Sequence, residues 1–560
     1  MSIVLVSQTN YFPLWHKQFA GTQFTQKMYE IDRQGNHILA GDLNGTYDFD
    51  PSTIVYNLNT SGGKDGGALM KLDSNGIFLW ARKIIATNDI YISNLNIDDV
   101  GNIYYIIRYG YTGVVDVDPN ISVVNVTINS SSPNQVLVSL DKNGNYRWHR
   151  QFAFGSTPSI NIEILKIDRN NQIFVYASNG NSTFDIDFSS SVANVPLGYF
   201  FAKYDTLGNY IWNKSIGTST NNPGIYKINF DYSNNILIHG VYFATTDFDY
   251  SAATTTLSIP SPSILNNYFI LKTDYQLNYL WVNAFHSIGS CDQFKTLIDT
   301  VDNVYVCGYS PYQKFFPKYN DTVYYKAPPT NWIFNPYIIK YNGLSGYYVN
   351  DFHIYRPSPF DFDIGKDGKI FISGVLAGTA DFDQSASTFN LTGGVLGDAF
   401  MAIYDNSFNF FRAYKYTNQP TPDDYQCSYF IKSWGSAIYL YSLQNGNVNY
   451  GELANPYMIN STYAKALIKF SIQGIATDIK TVSNLEFSFY PNPTTDKFYI
   501  EVNSPDKLSV TLYDVNGRLV YSEIVNNKSI IDVSNLNQGI YTATIKTADC
   551  IINKKLVILR

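Results

Sequence analysis

Short runs of apolar residues, broken by Asp, Asn and Gly, recur along the whole chain. Ile103-Tyr104-Tyr105-Ile106-Ile107 and Val304-Tyr305-Val306-Cys307 are typical. Runs this short, rich in β-branched and aromatic side chains and bounded by turn residues, predict buried strands. No stretch sustains the i, i+3, i+4, i+7 apolar spacing of a helix. The breaks themselves repeat. One set reads Asp32-Arg33-Gln34-Gly35-Asn36, Asp98-Asp99-Val100-Gly101-Asn102, Asp168-Arg169-Asn170-Asn171, Asp231-Tyr232-Ser233-Asn234-Asn235 and Asp299-Thr300-Val301-Asp302-Asn303, with Gly365-Lys366-Asp367-Gly368-Lys369 as a sixth copy. Asp, Asn and Gly tolerate positive φ or bond their own backbone, as tight β-turns require. A second set follows later in each unit: Lys71-Leu72-Asp73, Leu140-Asp141, Lys203-Tyr204-Asp205 and Lys272-Thr273-Asp274, with weaker copies at Lys340, Ile403 and Lys469.

Tryptophan gives the period. Trp15, Trp80, Trp148, Trp212 and Trp281 are spaced by 65, 68, 64 and 69 residues, and Tyr348 and Phe411 continue the series. Each unit therefore reads strand, tight turn, strand, long connection, strand, tight turn, strand. Seven such units predict an all-β fold: a seven-bladed β-propeller of four-stranded blades with a repeat of about 65 residues. A flat solenoid is the alternative. A lone Trp-bearing strand near Pro13 to Phe19 precedes the first complete unit, and the seventh unit ends weakly around Gly474 to Lys480. Pairing the first strand into the last blade would close the ring and remove two open edges. It requires the N-terminus to lie beside residues near 465–475.

Composition agrees with β-structure. Charged residues make up only 15% of the chain, and 47 Tyr, 36 Phe and 7 Trp fill much of the difference. Net charge is −7, and no basic patch extends beyond Lys554-Lys555, so nucleic acid and anionic membrane surfaces are poor partners. No apolar run approaches the ~18 residues of a membrane span. Residues 1–10, with Ser2-Ile3-Val4-Leu5-Val6, resemble the remnant of a signal peptide lacking its basic start. Four Cys are too few for a disulfide scaffold. Cys291 and Cys307 are close enough in sequence to pair, and the simpler reading is apolar side chains near strands.

The long connections carry Asp-x-Asp in five of seven copies: Asp48 and Asp50, Asp116 and Asp118, Asp185 and Asp187, Asp247 and Asp249, Asp381 and Asp383. Clustered carboxylates suit calcium. The competing reading puts the middle apolar residue inward while the two Asp cap the turn or face solvent. Catalytic constellations are absent: the six His (His16, His37, His149, His239, His286, His353) fall in different units, and neither a GxSxG elbow nor a phosphate-binding GxxxxGK[ST] loop occurs. Residues that recur in every copy are turn-makers before they are catalysts. The least regular copies, the fifth and the seventh, are where a partner site would break the symmetry; the fifth has Lys314-Phe315-Phe316-Pro317-Lys318-Tyr319 and Ala327-Pro328-Pro329 in place of Asp-x-Asp.

After a linker at 479–485 the pattern changes. Residues 486–560 hold six or seven short alternating strands with Pro-Asn-Pro and Asn-Gly turns, a small Ig-like β-sandwich. The run Tyr490-Pro491-Asn492-Pro493, then Tyr513-Asp514 with Gly517-Arg518, Leu536 with Gly539-Ile540-Tyr541, and the terminal Lys554-Lys555-Leu556-Val557 closely resembles the type A C-terminal sorting domain of the type IX secretion system of Bacteroidetes. The resemblance implies export across both membranes through the type IX machinery, and release or anchoring at the surface, usually with removal of this domain. Residues 11–478, the propeller, are similar to long-period repeats of bacterial surface proteins, a likeness that carries no activity. The leading expectation is a non-catalytic secreted or surface propeller without cofactor, binding an unidentified glycan or protein in adhesion or polysaccharide capture. A secreted polysaccharide hydrolase or lyase working in the propeller channel, and a structural surface component, are the alternatives.

Overall fold

A computed structural model describes residues 10–20, 23–60, 66–128, 134–152, 160–180, 183–217, 223–251, 253–259, 266–287, 292–310, 335–354, 357–416, 418–419, 427–450, 457–473, 487–502, 508–514, 519–526, 528–546 and 551–560. Residues 1–9 of the signal-peptide remnant, the linker, the fifth-copy insertion and Cys291 lie outside them. Two compact units divide the chain, one of them Phe12–Ser471, and the C-terminal sandwich belongs to the other.

In the first unit, antiparallel sheets with four-stranded cores follow one another, and the described residues form seven of them. Their innermost strands are Phe24–Ile31, Ile90–Ile97, Ile160–Ile167, Gly224–Phe230, Asp292–Ile298, Ser358–Ile364 and Cys427–Trp434. Each touches the innermost strand of the next sheet, and the seventh touches the first, so the sheets close into a ring. That closed ring of radial sheets is a propeller. Apolar cores fill the spaces between successive blades; between blades one and two, for example, lie Ile38, Leu69, Ile92, Tyr105 and Val138.

The turns form as their residues dictate. Asp32 Oδ1 accepts the Gln34 and Asn36 amides, each at 2.9 Å. Gly35 has φ of 83°, and Asn171 and Asn234 take the same left-handed conformation in blades three and four. The Asp of these turns also bind lysines. Lys71 Nζ lies 2.8 Å from Asp32, Lys203 Nζ 2.7 Å from Asp168 and Lys272 Nζ 2.5 Å from Asp231, all with side chains almost wholly buried.

The periodic Trp is a latch between blades. On the outermost strands, Trp148 Nε1 donates to Thr206 O at 3.1 Å and Trp281 Nε1 to Gly343 O at 3.1 Å, both in the next blade. Gly208, with φ of 74°, lies flat against Trp148, where a Cβ would come within 3.0 Å of the ring. The N-terminal strand Asn10–Ala20 pairs with Met458–Gln473 and is the outermost strand of blade seven. Its Trp15 meets Gly76 of blade one in the same way, and His16 Nδ1 hydrogen-bonds the Tyr457 hydroxyl at 3.0 Å.

Cys307 is a buried free thiol, so the pairing with Cys291 is not made. In the second unit the described strands form a sandwich. A three-stranded sheet (Phe487–Tyr490, Lys497–Val502, Lys528–Asp532) and a four-stranded sheet (Leu508–Tyr513, Leu519–Val525, Gly539–Lys546, Ile551–Ile558) share a core of Phe498, Ile500, Leu512, Ile545 and Leu556.

Candidate functional site: the central cavity

Each innermost strand is interrupted by a β-bulge: between Gln26 and Met28, Ser93 and Asn96, Ile162 and Ile164, Ile225 and Lys227, Asp292 and Lys295, Pro359 and Asp361, and Ser428 and Phe430. A bulge inserts one residue and re-aims its neighbours. Here the bulged Lys27, Asn94, Glu163 and Tyr226 line a cavity of about 750 Å³ walled by the innermost strands. That is within the usual range for ligand sites, about 300–1,000 Å³. A second hollow of about 260 Å³ shares Glu30, Asn96, Lys166, Arg169 and Asn229 with it.

The lining is polar and differs from blade to blade. Blades three to five contribute Lys166, Arg169, Lys227 and Lys295 against Glu163; blades six, seven and one contribute Glu30, Asp361 and Asp363 against Lys27 and Lys432. Lys432 Nζ lies 3.1 Å from Glu30 Oε2, and Lys295 Nζ 2.7 Å from Asp361 Oδ1. Asp361 Oδ2 accepts the Ile431 amide at 3.0 Å, and Asp363 Oδ2 accepts the Ser433 hydroxyl at 2.8 Å. Burial favours the neutral Glu30 carboxyl, but the Lys432 and Lys166 charges and the Lys432 hydrogen bond outweigh it and hold Glu30 below its ordinary range. Burial prevails at Asp363, raising it although Lys295, Lys432 and Ser433 oppose. Burial lowers Lys166 from 10.5 to about 8, with Lys432, Lys227 and Lys295 adding to the effect and Glu30 opposing it.

The Asp-x-Asp residues lie elsewhere, one pair in each of blades one, two, three, four and six, in the connection between second and third strands, which folds as a short outer hairpin such as Thr46–Asp48 with Asn57–Asn59. In each pair the first Asp accepts two amides through Oδ1. Asp48 takes those of Asp50 (3.1 Å) and Tyr56 (2.8 Å). Asp116 takes those of Asp118 and Val124, Asp185 those of Asp187 and Ala193, Asp247 those of Asp249 and Thr255, and Asp381 those of Asp383 and Phe389. Asp50, Asp118, Asp187, Asp249 and Asp383 each accept the amide two residues on. The residues between, Phe49, Val117, Ile186, Phe248 and Phe382, are fully buried. The five pairs are not brought together, and no group of three or more His, Cys, Asp or Glu placed to hold a metal occurs among the described residues. His37 and His239 are buried, and burial lowers both from 6.5 to about 3; His353 Nε2 meets Asp351 at 2.7 Å.

In the sandwich, Asn492 ties the opening Tyr490-Pro491-Asn492-Pro493 segment to the last strand: its Oδ1 accepts the Val557 amide at 2.9 Å and its Nδ2 donates to Lys555 O at 2.5 Å. The Tyr541 hydroxyl donates to Asn537 O at 2.7 Å. Gly539 and Lys554 stand on the paired strands Gly539–Lys546 and Ile551–Ile558, while Gly517 and Arg518 lie outside the described residues.

Residues 488–559 match the family described as the secretion system C-terminal sorting domain. They carry the type IX export signal, and the chain is destined for secretion and the cell surface. No curated protein matches. Among solved structures, the Dos1 propeller is 10% identical, with a TM-score of 0.37 over 83% of this chain and 96% of its own. The extracellular domain of a hybrid two-component system from B. thetaiotaomicron is 11% identical, with a TM-score of 0.16 over 99% of this chain and 98% of its own.

Proposed function

We propose that this protein is an exported, non-catalytic binding propeller, presenting its central cavity to a polar ligand outside the cell in adhesion or polysaccharide capture. The observation that carries the reading is the cavity's lining. Seven structurally equivalent strands supply unlike polar and charged side chains to one ligand-sized space, and function departs from a repeat where symmetry is broken. The test is a glycan-array screen of the full chain, run with calcium and with chelator. Binding of a defined glycan set supports capture. Binding lost in chelator would also make ligands of the Asp-x-Asp carboxylates, whose loops would then bear on recognition. Absence of binding in both conditions counts against glycan capture and favours a structural role.

A second reading, a polysaccharide hydrolase or lyase, draws on Asp363, a carboxyl raised by burial at the wall of the cavity as a general acid would be. Against it stand the partners of the neighbouring carboxylates, since Lys432 and Lys295 pair with Glu30 and Asp361. Release of reducing ends from a bound polysaccharide, abolished by Asp363→Asn, would establish the enzyme.

A further inference from the structure

The cavity breaks the repeat most sharply at blades three and four. Two positions on the innermost strands face it, two and four residues before the residue that opens the following turn. Two before the turn stand Glu30, Asn96, Lys166, Asn229, the apolar Leu297 and Asp363. Four of these are tied to a neighbouring blade. Glu30 meets Lys432, Asn96 Nδ2 donates to Leu165 O at 2.9 Å, Asn229 Nδ2 donates to Thr296 O at 2.6 Å, and Asp363 accepts Ser433. Four before the turn, Lys295 is tied to Asp361 of blade six. Lys166 and Lys227 hold the same two positions in blades three and four, yet neither ammonium has a hydrogen bond or ion pair among the described residues. A latch position filled by an unlatched charge leaves that charge for something else.

The surroundings sharpen this. The wall from blades three to five carries four cationic residues against one acidic one. Lys227 is exposed on its strand, and partial desolvation in the cavity and Lys295 lower it, with Asp361 opposing; with the lowered Lys166 beside it, the wall is short of negative charge. Beside them, the side-chain oxygens of Asn96 and Asn229 remain as acceptors for hydroxyl groups, and the exposed ring of Tyr226 lines the same wall. Lysines for an anionic group, amide oxygens for hydroxyls and an aromatic face are together the recognition set of a charged sugar.

We propose that Lys166 and Lys227 form an anion subsite that seats the carboxylate or sulfate group of an acidic saccharide in the central cavity. This rests on the reading of the cavity as a ligand site. The test is calorimetric titration of the full chain with an oligo-uronate, a sulfated oligosaccharide, their neutral counterpart, oligo-glutamate and inorganic sulfate. One of the two acidic saccharides binds, identifying which anion is read, and raised salt weakens it. The Lys166→Gln/Lys227→Gln variant loses about tenfold or more in affinity with no fall in its thermal midpoint, and Lys83→Gln, on an outer strand, binds as the parent does. Unchanged affinity in the double variant overturns the subsite. So does equal binding of oligo-glutamate, which would make the site a receptor for acidic peptide, or of sulfate alone. If the neutral saccharide binds and the double variant holds it equally well, the cavity remains a binding site and the anion subsite falls. If no saccharide binds, both fall.

Discussion

Buried Lys–Asp pairs pin the blade turns. Lys203 and Asp168 are both almost wholly buried and 2.7 Å apart, so removing one charge leaves the other desolvated and unpaired. Lys203→Met should cost about 3–5 kcal/mol, and adding Asp168→Asn should recover much of it; thermal unfolding of the two variants checks both. Lys166 behaves in the opposite sense. Its folded value, about 8, lies below the ordinary 10.5, so between these pH values the unfolded chain binds more protons. The unfavourable contribution of Lys166 is complete below pH 8 and disappears as pH rises toward 10.5. Lys166→Gln should therefore stabilise the propeller near pH 7, and its advantage should shrink by pH 10, as denaturant midpoints at the two pH values would show. The sequence exposes the turn Asp readily, because Asp-x-x-Gly-Asn is a local signal. It does not expose their lysines as partners: Asp168 opens the turn after the first strand of its blade while Lys203 stands on the third, and only the folded register brings them together.

At the level of elements, two devices organise the blades: the Trp latch and the bulge. Gly208 takes positive φ and lies against Trp148; Gly208→Ala should cost about 1–3 kcal/mol, measurable as a lower thermal midpoint. The Trp spacing was legible as a period, and from it the strands, the turns and the ring could be read. The cavity was not. A strand pattern assigns faces by alternation, and one inserted residue reverses every assignment beyond it. Because a bulge sits in each innermost strand, the charges at Lys166, Lys227, Glu30 and Asp363 look in the sequence like ordinary solvent-facing positions. The Asp-x-Asp pairs, conspicuous in one dimension, lie apart in outer hairpins.

On the scale of the whole molecule, a propeller and an export module share one chain. Deleting residues 487–560 should leave the protein behind the outer membrane, which protease treatment of intact cells would detect as protection of the propeller. The ring itself depends on a strand from the far end of the unit, since Asn10–Ala20 completes blade seven. Removing it should expose the edge of Met458–Gln473 and drive association, visible as a concentration-dependent rise in mass by light scattering. The closure also sets an order in time. Synthesis from the N-terminal side makes this strand before any other strand of the propeller and can use it last, for His16 finds Tyr457 441 positions later. Until then the first strand must stay uncommitted while six complete blades accumulate around the gap it will fill. The step that finishes the ring thus joins the propeller's first strand to its last, making the molecule slow to complete and, once complete, slow to open.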